Sequence, residues 1–196
     1  TVIELSLALC PWARWKKDHA SVKLNVLLDV REDLPVFASL HEGERHEVAS
    51  LDEMPVYPGA YYTMDRAYLH FLRLHRLHCA GAFFVTRLKS GVSYYVVESR
   101  PVDETVGLRC DQTIRLNSRQ GRKDYPEVLR RISYVDPESG QALVFLTNQF
   151  ELAALVIAQI YRRRWSIELF WRWLKQHLRL RGFFSNDPNG VRVQIW

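Results

Sequence analysis

The sequence predicts an α/β protein in which a mixed β-sheet carries helices on its faces and one β-rich module is spliced in. Three observations predict this. Apolar strand patterns open the chain, a strand–helix–strand unit that implies parallel pairing follows, and short alternating runs then precede a long amphipathic helix.

Each element has a local reason. Val2 to Cys10 reads as an apolar strand, and Ser21 to Val30 and Leu34 to His41 read as two more, joined as a hairpin by the Arg31-Glu-Asp turn. His46 to Met54 can form a short helix before Pro55 and Pro58-Gly59 break it. Ala60-Tyr-Tyr-Thr-Met64 is a buried strand that delivers Asp65 to a strand-to-helix junction. Arg66 to His78 repeats apolar residues at helical spacing through Tyr68, Leu69, Leu72 and Leu77, and Gly81 leads into a fifth strand, Ala82 to Leu88. From Ser90 to about Leu146 the texture changes to short runs such as Tyr94-Tyr-Val-Val, Val106-Gly-Leu-Arg and Ile132-Ser-Tyr-Val. Turn-prone Asn117-Ser, Gly121 and Asp136-Pro-Glu-Ser-Gly140 separate them. Asn148 with Glu151 resembles a capping box for a helix expected to run to about Leu180. The chain therefore divides into 1–89, the first part of a core; 90–146, a β-rich insertion; and 147–196, the last helix and the remainder of the core.

Composition narrows the partners. At 196 residues and 47% hydrophobic the chain can bury a core, and the net charge of +5 is only mildly basic. The charge is local, however: between Tyr161 and Gly182 stand Arg162, Arg163, Arg164, Arg172, Lys175, Arg179 and Arg181 against Glu168 alone, as a polyanion-binding surface needs. Cys10, Cys79 and Cys110 are widely spaced and without a Cys-x-x-Cys, which points to neither a disulfide framework nor a zinc site, and to a reducing cytoplasm. The apolar stretch Leu152 to Ile160 is far short of the roughly 20 residues that cross a bilayer, and no signal peptide opens the chain. The chain begins at Thr1 and stops at Trp196 just after a new apolar pattern, Val191-Arg-Val-Gln-Ile-Trp, has started, so a piece of a longer protein is expected.

The chemistry concentrates in Tyr161-Arg-Arg-Arg-Trp-Ser-Ile-Glu168-Leu-Phe-Trp-Arg-Trp-Leu-Lys175. At about 100° per residue, Arg164, Glu168 and Lys175 lie within roughly 60° of Tyr161, so all four fall within one narrow stripe. A carboxylate among cations suits a hard divalent ion better than general-base work, and the cations and phenol can hold phosphates. The same spacing, Y-x2-R-x3-E-x6-K, matches the YREK signature of the insertion-sequence-four branch of DDE transposases, which the chain resembles over nearly its whole length. The run Lys175-Gln-His-Leu-Arg-Leu-Arg-Gly-Phe183 strengthens the match.

That resemblance implies a ribonuclease H-like fold with a β insertion ahead of the last catalytic helix. It also implies three acids that converge on two Mg²⁺ ions, with Mn²⁺ as a substitute, about 3.5–4 Å apart. Glu168 matches the third acid. Asp65 matches the second through Tyr62-Thr-Met-Asp65-Arg66-Ala67-Tyr68, similar to an Asp-Arg-Gly-Tyr element except that Ala67 replaces Gly. The first acid, from an Asp-x-Thr-like element, is expected one or two positions before Thr1; Asp18 and Asp29 read as turn or surface residues, and Glu4 lies too far along the strand. Tyr161, Arg164, Arg172 and Lys175 are expected to hold DNA phosphates.

The implied partners are double-stranded DNA, as transposon ends and target, and further copies of the chain in the DNA complex. The implied location is the bacterial cytoplasm, at the nucleoid. For Trp165, Trp171 and Trp173, helix burial is favoured over base stacking, and the insertion contains no Trp that could clamp a flipped base. Pro11-Trp-Ala-Arg-Trp-Lys-Lys17 fits a DNA-following segment or a solvated loop equally. His70, His75 and His78 read as amphipathic filler rather than metal ligands. The competing functional reading is an inactive transposase remnant that serves only as a DNA-binding module; an RNA or junction nuclease of the same fold stands third.

Overall fold

Small and branched apolar residues at every second position, Ala20, Val22, Leu24 and Val26, give one strand a face that must be covered. The computed structural model describes residues 2–5, 10–16, 19–42, 46–177, 185 and 187–195, which form two units, 1–55 with 165–196 and 56–164. In the first unit that strand is β3 (His19–Asp29), antiparallel to β1 (Val2–Leu5), β2 (Arg14–Lys16) and β4 (Leu34–Glu42). The expected β3–β4 hairpin is present, and Asp33 takes the left-handed conformation at φ 54 that its turn requires.

Ala20, Val22 and Leu24 pack with Cys10, Ala13 and Leu174, bordered by Phe170 and Trp171. These last three residues form the inward face of α4 (Trp165–His177). The expected helix over 46–54 is a 3₁₀ turn, Glu47–Asp52. The apolar pattern from Val191 is helical: α5 (Pro188–Ile195) is capped by Asp187, whose Oδ2 accepts from the Asn189 and Gly190 amides.

The second unit is built on one mixed sheet of six strands. Its order is β5 (Tyr61–Met64), β6 (Phe83–Arg87), β10 (Ala142–Thr147), β9 (Leu129–Val135), β8 (Leu108–Leu116) and β7 (Tyr94–Arg100). β5 and β6 are parallel, as expected, because α1 (Phe71–Cys79) crosses between them; every other pair is antiparallel. The β-rich stretch over 90–146 thus supplies four strands that extend the sheet begun by β5 and β6.

Helices cover both faces. Val85 points to the side of α3 (Ala154–Arg162), where it meets Ile132, Phe145, Ile157, Ala158 and Tyr161. Its neighbour Phe84 points the other way, edge-on to Tyr125, whose Oη lies 2.7 Å from His78 Nδ1 of α1.

Three local readings are corrected. Asn117-Ser and Gly121 do not form a simple turn: Ser118 Oγ accepts from the Gly121 amide and starts α2 (Arg119–Asp124). Asn148 caps no helix, because its side chain is engaged elsewhere: Oδ1 accepts from the Phe84 amide and Nδ2 donates to the Ala82 carbonyl, both at 2.9 Å. The helix expected to run unbroken to about Leu180 is interrupted at Arg163–Arg164, with α3 ending at Arg162 and α4 starting at Trp165; positions 178–180 lie outside the described residues. Three successive arginines gather where the exposed carbonyls of α3 favour cations.

A buried ion pair secures the segment before α3. Arg130 donates through Nε and Nη2 to Asp111 at 2.8 and 2.6 Å, and its Nη1 reaches the carbonyls of Gln149 and Leu152 at 3.2 and 2.6 Å. Both side chains are almost fully buried, so neither charge can fall back on water. Among the described residues no helix is long and apolar enough to cross a membrane, and the three cysteines are free. Removing one partner leaves the other charge stranded: Asp111→Ala is expected to lower the unfolding free energy by about 3–5 kcal/mol in urea titration. Arg162→Ala, which breaks only the exposed Arg162–Glu138 pair, is expected to cost about 1 kcal/mol or less.

Candidate active site

Asp65 is delivered by the end of β5. Tyr62 and Met64 turn inward on that strand, the backbone stays extended at Asp65, and Oδ1 accepts from the Ala67 amide at 3.0 Å to start the 3₁₀ turn Arg66–Tyr68. Oδ2 has no hydrogen-bond partner among the described residues. Ala67 does not need positive φ, so an ordinary helical start accepts it where Gly is usual. The buried Thr86 hydroxyl donates to the Asp65 carbonyl at 3.4 Å, and the parallel register sets Met64 opposite Thr86. Asp65, which follows β5, and Arg87, the last residue of β6, therefore lie side by side at the carboxyl ends of two parallel strands.

Tyr161 comes to the same place from α3. Its ring is buried against Phe145 at 4.9 Å between centroids, and the Arg164 guanidinium lies 5.7 Å from its centre. Burial raises the phenol above its ordinary value; the Arg164 and Arg87 cations oppose the shift and the Asp65 carboxylate adds to it. The Oη is sealed from water without a well-formed hydrogen bond. Asp65, Arg87, Tyr161 and Arg164 thus share one neighbourhood, in which two cations and a carboxylate oxygen are gathered around a buried phenol.

Glu168, Arg172 and Lys175 form a second constellation on α4. Spaced i, i+4 and i+7, they lie on one exposed face while Phe170, Trp171 and Leu174 face the core of the first unit. The tryptophans divide: Trp171 packs on that core, but Trp165 and Trp173 are 54% and 53% exposed, Trp173 stacking on His177 at 4.9 Å. Helix burial therefore describes only one of the three.

The remaining candidates have structural roles or lie outside the description. Asp29 accepts from the Arg31 amide and guanidinium at 2.9 and 3.1 Å, and these bonds hold its carboxyl below the usual range, a turn residue as expected. Asp18 and most of the run 175–183 lie outside the described residues. Pro11–Ala13 is a 3₁₀ turn and Arg14–Lys16 is β2, with Trp12 half-buried. His78 bonds Tyr125 and His75 packs edge-on to the same ring at 5.2 Å. Among the described residues no three His, Cys, Asp or Glu side chains are grouped to hold a metal.

Sequence reading missed Arg87. The signal was available, since once β5 and β6 are taken as parallel neighbours the residue ending the second strand must flank the acid ending the first.

The family described as the transposase DDE domain matches residues 4–196. A Sinorhizobium fredii protein provisionally named transposase y4zB is 34% identical over 192 residues, which span 96% of this chain and 53% of that protein. The protein named as a probable transposase for insertion sequence element IS5377 of Geobacillus stearothermophilus is 28% identical over 198 residues, 100% of this chain and 52% of its own length. The chain spans about half the length of these curated relatives.

Tyr161→Phe removes a phenol that makes no well-formed hydrogen bond, so its neutral-pH stability is expected to change by about 1 kcal/mol or less. A phenol raised in the folded state favours folding fully below its unfolded value of about 10 and works against the ionised protein above it. The variant is accordingly expected to lose less stability than the wild type between neutral pH and pH values above about 10, measured by thermal melts across that range.

Proposed function

The chain belongs to the transposase DDE domain family, and from that premise we propose that it is the catalytic part of a DNA transposase of the insertion-sequence-four branch. In this reading Tyr161, Arg164, Glu168 and Lys175 are the YREK residues, residues 90–146 are the insertion, and Asp65 and Glu168 are the second and third acids. The observation that carries it is the neighbourhood of Asp65, Tyr161 and Arg164, which unites one acid with the first half of the YREK spacing.

The donors fit a divalent cation in kind. Asp65 keeps Oδ2 without a partner among the described residues, and a carboxylate oxygen is a suitable ligand for Mg²⁺ or Mn²⁺. Asp65 and Glu168 would hold the ions, which supply charge stabilisation and an activated water at a phosphodiester.

The chain's own residues do the rest. Arg87, Arg164, Arg172 and Lys175 bind the phosphate backbone by charge, without reading bases. The Tyr161 phenol, sealed beneath this surface and kept protonated by burial, acts as a positioning residue: its ring lies beside the Arg164 guanidinium and sets that cation for a phosphate. Cleavage at a transposon end frees a 3′-hydroxyl, and the same groups orient it toward target DNA for strand transfer. The double-stranded substrates, assembly of several copies on DNA, and action at the bacterial nucleoid belong to this proposal.

In the complete protein, Glu168→Gln and Asp65→Asn are each expected to reduce Mg²⁺-dependent 3′-end cleavage by about 10²-fold or more while end binding persists. The measurement is gel-resolved cleavage of a labelled terminal repeat beside an anisotropy titration of the same duplex. Wild-type cleavage by the Glu168 variant would contradict the proposal.

A further inference from the structure

The face of the six-stranded sheet opposite Tyr161 carries a second cationic surface. Phe84 points to this face and Val85 to that of α3, and Tyr125, which ends α2, packs on Phe84. α2 is pinned flat on β8: a Cβ at Gly121 would meet Leu116 Cβ at 3.2 Å and Ser118 Oγ at 2.7 Å. At about 100° per residue, Arg119 and Lys123 lie roughly 160° from Gly121, directly outward, with Arg122 on their flank. Arg119, Gln120 and Lys123 line an open recess of about 400 Å³.

Among the described residues none of Arg119, Arg122 and Lys123 has a carboxylate partner, and the one acid of the helix, Asp124, is held by Gln120 Nε2 at 2.7 Å. Because the Gln120 amide is neutral, Asp124 keeps its charge, and α2 carries three exposed cations against one anion. The patch presents no apolar side chain, which disfavours a protein partner, whose interface core would be apolar and depleted in charge; dense unpaired cations are the mark of a nucleic-acid contact.

We propose that Arg119, Arg122 and Lys123 on α2 form a sequence-independent docking surface for the phosphate backbone of duplex DNA, on the face of the six-stranded sheet opposite Tyr161. This extends the transposase reading. Strand transfer brings transposon-end and target DNA to one protein, and a second surface gives part of that DNA a place to rest away from the scissile phosphate.

Fluorescence anisotropy of the complete protein with a random-sequence duplex, titrated from about 50 to 200 mM salt, tests it. Arg119→Ala/Lys123→Ala is expected to weaken binding several-fold at the low-salt end and to flatten the slope of log K against log salt by about 2. The exchange Arg119→Lys/Lys123→Arg keeps both charges and is expected to restore both readouts, which loss of fold could not do. Circular dichroism of each variant, and Arg122→Ala as a single-site change expected to flatten the slope by about 1, guard against misfolding.

An unchanged slope in the double variant overturns this surface and leaves the transposase reading standing. No duplex binding by the wild type overturns both. An acidic polypeptide bound as tightly as the duplex, charge for charge, would contradict the assignment to DNA.

Discussion

The parallel pairing of β5 with β6, Met64 opposite Thr86, is the constraint on which the site in the second unit depends. Parallel neighbours end on the same side, so an acid that follows one strand and a cation that ends the other must lie together. The crossover helix α1 makes that pairing feasible, and the Thr86 hydroxyl fixes the Asp65 backbone where the strand ends. α3 then brings Tyr161 and Arg164 to the same edge because Val85, Phe145 and Ile132 receive Ile157 and Ala158 beneath them.

The approach of α3 is not left to packing alone. Asn148 spans the Ala82 carbonyl and the Phe84 amide, Gln149 donates to Tyr61 Oη at 2.6 Å, and the Arg130–Asp111 pair grips the carbonyls of Gln149 and Leu152. Four polar side chains thus tie the last residues before α3 to β5, β6, β8 and β9. Buried networks of this kind are costly when incomplete and rigid when satisfied, which suits a segment that must set a phenol beside a carboxylate. In the second unit cations stand beside Asp65, at Arg87 and Arg164, and again on α2, on the face of the sheet opposite Tyr161.

Much of this was legible in the residues, for reasons that differ by element. Strands with strict alternation, such as 20–26, and the parallel strand pair within 61–87 read correctly because period and turn residues agree, although the helix between that pair, expected from Arg66, begins at Phe71 after a 3₁₀ turn over Arg66–Tyr68. The place of Asp65 at the end of β5 was legible because a strand ending in an acid before a helical start is a local pattern. Asn148 misled because a capping residue and a cross-strand bridge look alike until the tertiary partners, Ala82 and Phe84, are known. The break at Arg163–Arg164 carries no Gly or Pro, so nothing in the local sequence marks it, and the single stripe drawn from Tyr161 to Lys175 becomes two groups on two helices. Arg87 and the Arg130–Asp111 pair depend on strand order, which periodicity does not encode.

We propose that Asp65 and Glu168 ligate the same divalent metal centre during DNA cleavage. A change of metal preference tests it most directly, because a thiolate accepts Mn²⁺ far better than it accepts Mg²⁺. In the complete protein, Asp65→Cys and Glu168→Cys should each be inactive in Mg²⁺ and regain 3′-end cleavage in Mn²⁺, whereas a Tyr161→Phe control should show no such dependence. If either cysteine variant cuts equally in both ions, or in neither while still folded and bound to DNA, that residue is not a metal ligand and the account fails.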